Sequence, residues 1–178
     1  MKQITTLLLL LFFSITQSQN DQNRNGVFYK FSFSTTLTTN DNYDINSNNS
    51  SLINLNGLFF NNSVGYQFDR KSSLGLNIEY DHFIDQNLNF LPVYLDFTYN
   101  IFDFDDQVFI RGAYGKMLNL GNDFEKGSLY KIGAGYRIYD SNFKNSGLIG
   151  FDFSRRRFDF REEQTLSSFA IFLEFMLF

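Results

Sequence analysis

Ser73-Leu74-Gly75-Leu76-Asn77-Ile78-Glu79-Tyr80-Asp81-His82-Phe83 is the stretch on which the fold turns. A strand points successive side chains to opposite faces, so Leu74, Leu76, Ile78 and Tyr80 share one side and Gly75, Asn77, Glu79 and Asp81 the other. The split recurs further along. Val93, Leu95, Phe97, Tyr99 and Ile101 oppose Tyr94, Asp96, Thr98 and Asn100, and Tyr130, Ile132, Ala134, Tyr136 and Ile138 oppose Lys131, Gly133, Gly135 and Arg137. In each segment the charges take the second face.

Eight such segments run through the chain, at approximately 27–38, 52–69, 73–83, 92–102, 107–118, 128–139, 147–156 and 166–178, separated by clusters of Asn, Asp, Ser, Gly and Lys. The sole proline, Pro92, sits at a strand start, where a missing N–H donor does least harm. With 24 Phe, 10 Tyr and 43% hydrophobic residues in 178, the composition is that of one β-rich domain. The connections 39–51, 84–91, 119–127 and 157–165 are longer than 70–72, 103–106 and 140–146. Outer-membrane barrels show this alternation of long extracellular loops and short periplasmic turns, with an even strand number that leaves both termini periplasmic.

Ahead of the first segment, Met1-Lys2 gives a basic start, Ile4 to Ile15 an apolar run, and Thr16-Gln17-Ser18 a set of residues suited to signal peptidase. Residues 1–18 therefore read as a secretory signal peptide that is removed, leaving 19–178 as the barrel domain. The run is shorter than the ~20 apolar residues a spanning helix needs. No later stretch reaches that length without charge, so only a barrel can carry this chain across a membrane.

Alternation alone fits a soluble barrel with an apolar interior as well as a membrane barrel with an apolar exterior. The aromatic residues favour the second. Tyr29, Tyr66, Phe68, Tyr99 and Tyr136 fall near the expected periplasmic ends, and Tyr80, Tyr114 and Tyr130 near the extracellular ends, as two interfacial girdles would. The lumen then receives Lys30, Glu79, Asp81, Asp96, Arg111, Lys131, Arg137, Asp152 and Glu174, five acids and four bases that nearly cancel. Gly75, Gly115, Gly133, Gly135 and Gly150 on the same face suit a narrow, crowded interior. Eight strands enclose little more than side chains, and charges buried there must pair, so the lumen is expected to be a plug. Glu79, Asp96 and Arg111, at similar heights on consecutive strands, are expected to form one coupled group.

Two segments break the pattern. Asn62 falls among the lipid-facing Leu58, Phe60, Val64 and Tyr66 while Ile53 and Leu55 have the other parity, which predicts a bulge within Gly57–Asn62. In the last strand an inward Glu174 puts Phe178 on the parity opposite to lipid, which predicts a bulge or a frayed end.

The leader, the eight alternating segments, the loop asymmetry and the terminal Phe178 together resemble the small outer-membrane β-barrel superfamily of OmpA-like and OmpX-like proteins, over residues 20–178. The resemblance implies an all-β, eight-stranded antiparallel up-and-down transmembrane β-barrel in the outer membrane. It also implies that the barrel assembly machinery reads Phe178 as its signal. No other residue carries over, and a fold of this kind does not name a function.

The chemistry-bearing residues are sparse. A net charge of -4, or -5 once Lys2 is removed, argues against a nucleic-acid partner. The absence of Cys excludes disulfides, thiolate metal sites, a cysteine nucleophile and a cysteine-linked lipid. His82 adjoins Asp81, but the residue two beyond it is Ile84, whereas outer-membrane deacylases of this size resemble one another in carrying a Ser there. It therefore reads as a rim histidine. Asp103, Asp105 and Asp106 make an acidic turn with too few ligands for a hard cation, and loop 39–51 lacks the spacing of a calcium loop. Arg155, Arg156 and Arg157 stand where the seventh strand leaves the membrane, suited to lipopolysaccharide phosphates or to pairing with Asp159, Glu162 and Glu163. The expectation is a non-enzymatic outer-membrane protein without catalytic residues, cofactor or metal, structural or binding a surface partner through its extracellular loops. The alternatives are a small lipid-modifying enzyme or narrow channel, and a soluble secreted ligand-binding barrel of lipocalin type.

Overall fold

The computed structural model describes residues 25–39, 53–102, 107–121, 124–140, 145–158 and 164–178. The alternating segments form nine extended elements: β1 Gly26–Thr39, β2 Ile53–Gln67, β3 Ser72–Phe83, β4 Leu88–Phe90, β5 Pro92–Asn100, β6 Gln107–Met117, β7 Gly127–Tyr139, β8 Ser146–Phe158 and β9 Gln164–Leu177. Every pairing is antiparallel, β4 and β5 both pair with β3 as one barrel strand interrupted at Leu91, and β9 pairs back onto β1. The result is a closed eight-stranded barrel with no free sheet edge. Its eight strands match the expected segments to within two residues at each end; the short β4 is an addition.

The strands are staggered. A path through hydrogen-bonded partners from Gly26 passes Gln67, Ser73, Thr98, Arg111, Gly133, Asp152 and Ala170 and returns to β1 at Thr36, ten residues above its start. Closing a sheet with this offset tilts the strands, so residues equally far from their strand ends do not meet in the interior.

Parity decides the faces as expected. Leu76, Leu95, Ile132, Ile149 and Leu173 are exposed on the outside, and the tyrosines assigned to the two girdles are exposed with them. The bulge in β2 lies one residue before the expected range: Thr36 pairs with Gly57 and Leu37 with Leu55, which leaves Asn56 as the extra residue. This explains the parity of Leu55 but not Asn62, which does face outward, where it accepts a hydrogen bond from the Tyr29 hydroxyl. Phe178 needs neither bulge nor fraying. It follows β9 with unbroken alternation and turns inward, its ring 6.0 Å from that of Phe28.

The connections are less asymmetric than expected. At the end opposite the termini, the links between barrel strands are 40–52, 84–87, 118–126 and 159–163; at the terminal end they are 68–71, 101–106 and 140–145. Link 159–163 is short because β8 and β9 continue past the expected strand ends to Phe158 and Gln164. The length difference therefore rests on 40–52 and 118–126.

Candidate functional site

The interior is built in layers. Near the terminal end Phe28, Phe109, Leu148, Phe172 and Met176 form a buried cluster with Phe178 packed against it. At the loop end Phe59, Phe83, Phe90, Met117, Phe158 and Ala170 form a second. Charged and amide side chains lie between them. Alternation of large apolar and polar side chains on the inward parity, Phe109 with Arg111 and Phe172 with Glu174, is what stacks the layers.

The group nearer the loop end is centred on Arg156, which is fully buried. Its Nε and Nη2 donate to Asp81 Oδ2 at 2.8 and 2.6 Å, and Nη1 donates to the hydroxyls of Ser154 and Ser168 at 2.7 and 3.1 Å. The guanidinium lies 4.8 Å from the Phe59 ring centroid and 5.0 Å from that of Phe83, within cation–π range. Below it Lys131 Nζ is 2.6 Å from both carboxylate oxygens of Glu79, and the Tyr94 hydroxyl donates to Glu79 Oε2 at 2.9 Å.

The second group is centred on Arg111. It donates to both oxygens of Asp152 and, at 3.1 Å, to Glu174 Oε2. Gly133 stands between Arg111 and Asp152 in the register, and a Cβ there would run into the Asp152 carboxylate. The glycine makes the pair possible. Lys30 Nζ lies 3.4 Å from both Asp96 and Glu174, and Asp96 also accepts from Asn77 and Thr98. Nearer the termini, Arg137 donates to Ser146 at 2.9 Å and to Gln67 at 3.3 Å.

All nine residues expected in the lumen are there, but they are joined differently. Arg111 is not the partner of Glu79 or Asp96. The stagger carries Arg111 onto Asp152 and Glu174, leaving Glu79 to Lys131 and Asp96 to Lys30. The arginine triplet is likewise divided: Arg155 and Arg157 are exposed on the outer face, whereas Arg156 is a lumen residue and cannot meet lipid. Its signal was present in the sequence, since Asp152, Ser154 and Arg156 share one parity. Counting it, among the described residues five acids (Glu79, Asp81, Asp96, Asp152, Glu174) face five bases (Lys30, Arg111, Lys131, Arg137, Arg156) and the formal charges of the interior cancel. The two aromatic layers were missed, though Phe59, Phe83, Phe109 and Phe172 also lie on the inward parity.

His82 lies on β3 toward the loop end, with Nδ1 2.8 Å from the side-chain oxygen of Asn89. The leader, residues 40–51 of the first loop, Asp103, Asp105, Asp106, Asp159, Glu162 and Glu163 lie outside the described residues.

No protein-family model matches the chain, and no curated protein matches it significantly. Among solved structures it is similar to the N-terminal β-barrel domain of Pseudomonas aeruginosa OprF, with a TM-score of 0.53 and 15% identity over 88% of this chain and all of that one. A de novo designed transmembrane β-barrel aligns with a TM-score of 0.46 and 14% identity over 85% of this chain and 96% of the other. At 15% identity the likeness to the OprF barrel is one of fold: a closed eight-stranded antiparallel barrel.

Proposed function

We propose that this chain is an integral outer-membrane protein whose barrel is a sealed scaffold and whose work is done at its surface, without catalysis. The polarity of the two faces carries this reading. Large apolar side chains stand outside, with Val64 and Leu76 56% and Ile132 65% exposed, while ten charged residues lie within. A soluble monomer rarely exposes contiguous apolar patches beyond a few hundred Å². A hydrocarbon surround favours that face, and a closed barrel leaves no backbone group unpaired in it. A soluble lipocalin-like barrel needs the opposite assignment.

The filled interior supports a plug over a channel. Two aromatic layers flank the charges gathered around Arg156 and Arg111, which are bonded to one another, and Arg137 is held by Ser146 and Gln67. The end holding Gly26 and Leu177 is read as periplasmic, because an even strand number leaves both termini there. The longer connections at the opposite end then face the exterior as the surface for a partner, and Phe178 at the periplasmic end is read as the signal for the assembly machinery. His82 supports no enzymatic role, since its ring engages the side-chain amide of Asn89, directly opposite it on β4, rather than a nucleophile.

The mature chain is expected to fractionate with outer membranes, to require detergent, and to migrate differently on gels before and after boiling. Planar-bilayer recordings should show no steady conductance of porin size. Recovery as a detergent-free soluble monomer would contradict the membrane assignment, and a steady large conductance would contradict the sealed interior.

A further inference from the structure

The outer face is not uniform around its loop-end rim. Through paired strands, Lys116 of β6 stands opposite Ser128 of β7, Ser128 opposite Arg157 of β8, and Arg157 opposite Thr165 of β9. Two residues nearer the barrel's middle, the next row is Tyr114, Tyr130, Arg155 and Ser167; the row after that is Gly112, Ile132, Phe153 and Phe169. Ser128 is buried, so over four residues the exposed surface changes from Lys116, Arg157 and the Thr165 hydroxyl, through tyrosine and arginine, to hydrocarbon. That gradient is the one between headgroups and acyl chains, with tyrosine at the boundary.

Lys116, Arg155 and Arg157 are all exposed. Arg155 and Arg157 share a face two residues apart, and neither has a hydrogen-bond or ion-pair partner among the described residues. Among the described residues, the outward loop-end positions on β2, β3 and β5, namely Leu58, Tyr80, His82 and Val93, which pairs with Lys116, carry no lysine or arginine. The cations are therefore gathered on one side. Beneath them is a recess: Gly112 faces outward, and a Cβ placed on it would meet nothing within 4 Å. Guanidinium groups recognise phosphate through paired N–H donors and ammonium groups through point charge, and both are present.

We infer that Lys116, Arg155 and Arg157 form a binding site for a phosphorylated lipid of the leaflet at the loop end. The phosphate lies against the three cations and an acyl chain lies over the Gly112 recess. The inference rests on the membrane-barrel reading above. It replaces a contiguous arginine triplet with a site spanning three strands, from which Arg156 is absent.

The test uses the full mature barrel in detergent, with bisphosphorylated lipid A and the same lipid stripped of phosphate as probes, and native mass spectrometry to count bound lipid. The wild type is expected to prefer the phosphorylated form at least about tenfold, and K116Q/R155Q/R157Q to lose that preference. R155K/R157K should keep most of it. Retention of the full preference by the triple variant overturns the site. So does displacement of lipid A by inorganic phosphate at equal concentration, which would make it a bare anion site. The heat shift on gels reports folding of each variant. If the triple variant does not fold, R155Q and R157Q singly should each lower the preference about fivefold, and no change in either overturns the site. A wild type that enters neither micelles nor vesicles contradicts the membrane reading itself, and a barrel that inserts but ignores the phosphates contradicts only this site.

Discussion

Arg111 organises one half of the interior charge set and Arg156 the other, and each reaches its acid across the lumen or past a glycine rather than along its own strand. Removing the cation from a buried pair leaves uncompensated charge, so Arg111→Ala is expected to cost about 3–5 kcal/mol in urea unfolding of the refolded barrel. A double-mutant cycle locates the loss. Arg111 and Asp152 should couple by about 0.5–3 kcal/mol, and Arg111 and Glu79, which share no partner, by less than about 0.5 kcal/mol. Strong coupling of Arg111 to Glu79 would contradict the described pairing. Membership of this charge set was legible in the residues, because parity alone places Glu79, Lys131 or Asp152 inward. Pairing was not, because it depends on the ten-residue stagger, which appears only when strand registers are known. Arg156 shows a different limit: three arginines in a row read as a strand leaving the barrel, whereas a carboxylate, two hydroxyls and phenylalanine rings inside keep the middle one within it.

At the scale of elements, the turn joining β2 to β3 is fastened by Asp69. The Ser72 hydroxyl donates to its Oδ1 at 2.8 Å, with the Ser72 and Lys71 amides at 2.6 and 2.7 Å. These bonds, that from the Ser72 hydroxyl foremost, hold the exposed Asp69 carboxyl below its ordinary pKa of 3.8. A carboxylate with a depressed folded pKa contributes stability above its unfolded pKa and loses it as pH falls through the folded one. Asp69→Ala should therefore lower the urea midpoint at neutral pH, and the gap to wild type should close as the pH is taken below 3.8. A gap that persists unchanged in acid would contradict this role. The strands themselves were readable because inward and outward residues differ so sharply in polarity. Their irregularities were readable only in outline: the parity of Leu55 signals a bulge, but Asn62 pointed to the wrong side of it, since its outward amide is held by Tyr29. The short β4 was hidden because Leu88–Phe90 carries no alternation long enough to register, and its place comes from pairing with Asp81, His82 and Phe83.

For the molecule as a whole, closure, strand number and the exchange of apolar and polar faces follow from a pattern repeated along the chain, so they were legible before any coordinate. The two aromatic layers of the interior were less so. Phenylalanine on the inward face does not stand out in a sequence with 24 of them, and the layers emerge only when the stagger brings Phe59, Phe83, Phe90 and Phe158 to one level. The central claim is that the apolar exterior meets lipid while the charges and aromatic layers lie inside. The chain has no tryptophan, so single Trp substitutions report without background. Trp placed at Leu76, Leu95, Ile132 or Phe153, all outward, should emit in the blue when the barrel is reconstituted in vesicles. Its emission should be quenched when the lipid acyl chains are brominated. Trp at the inward Tyr94 should also emit in the blue yet escape quenching by the same lipids. If the four outward positions are untouched by brominated lipid and quenched instead by a water-soluble agent, the apolar face does not meet hydrocarbon and the account is wrong.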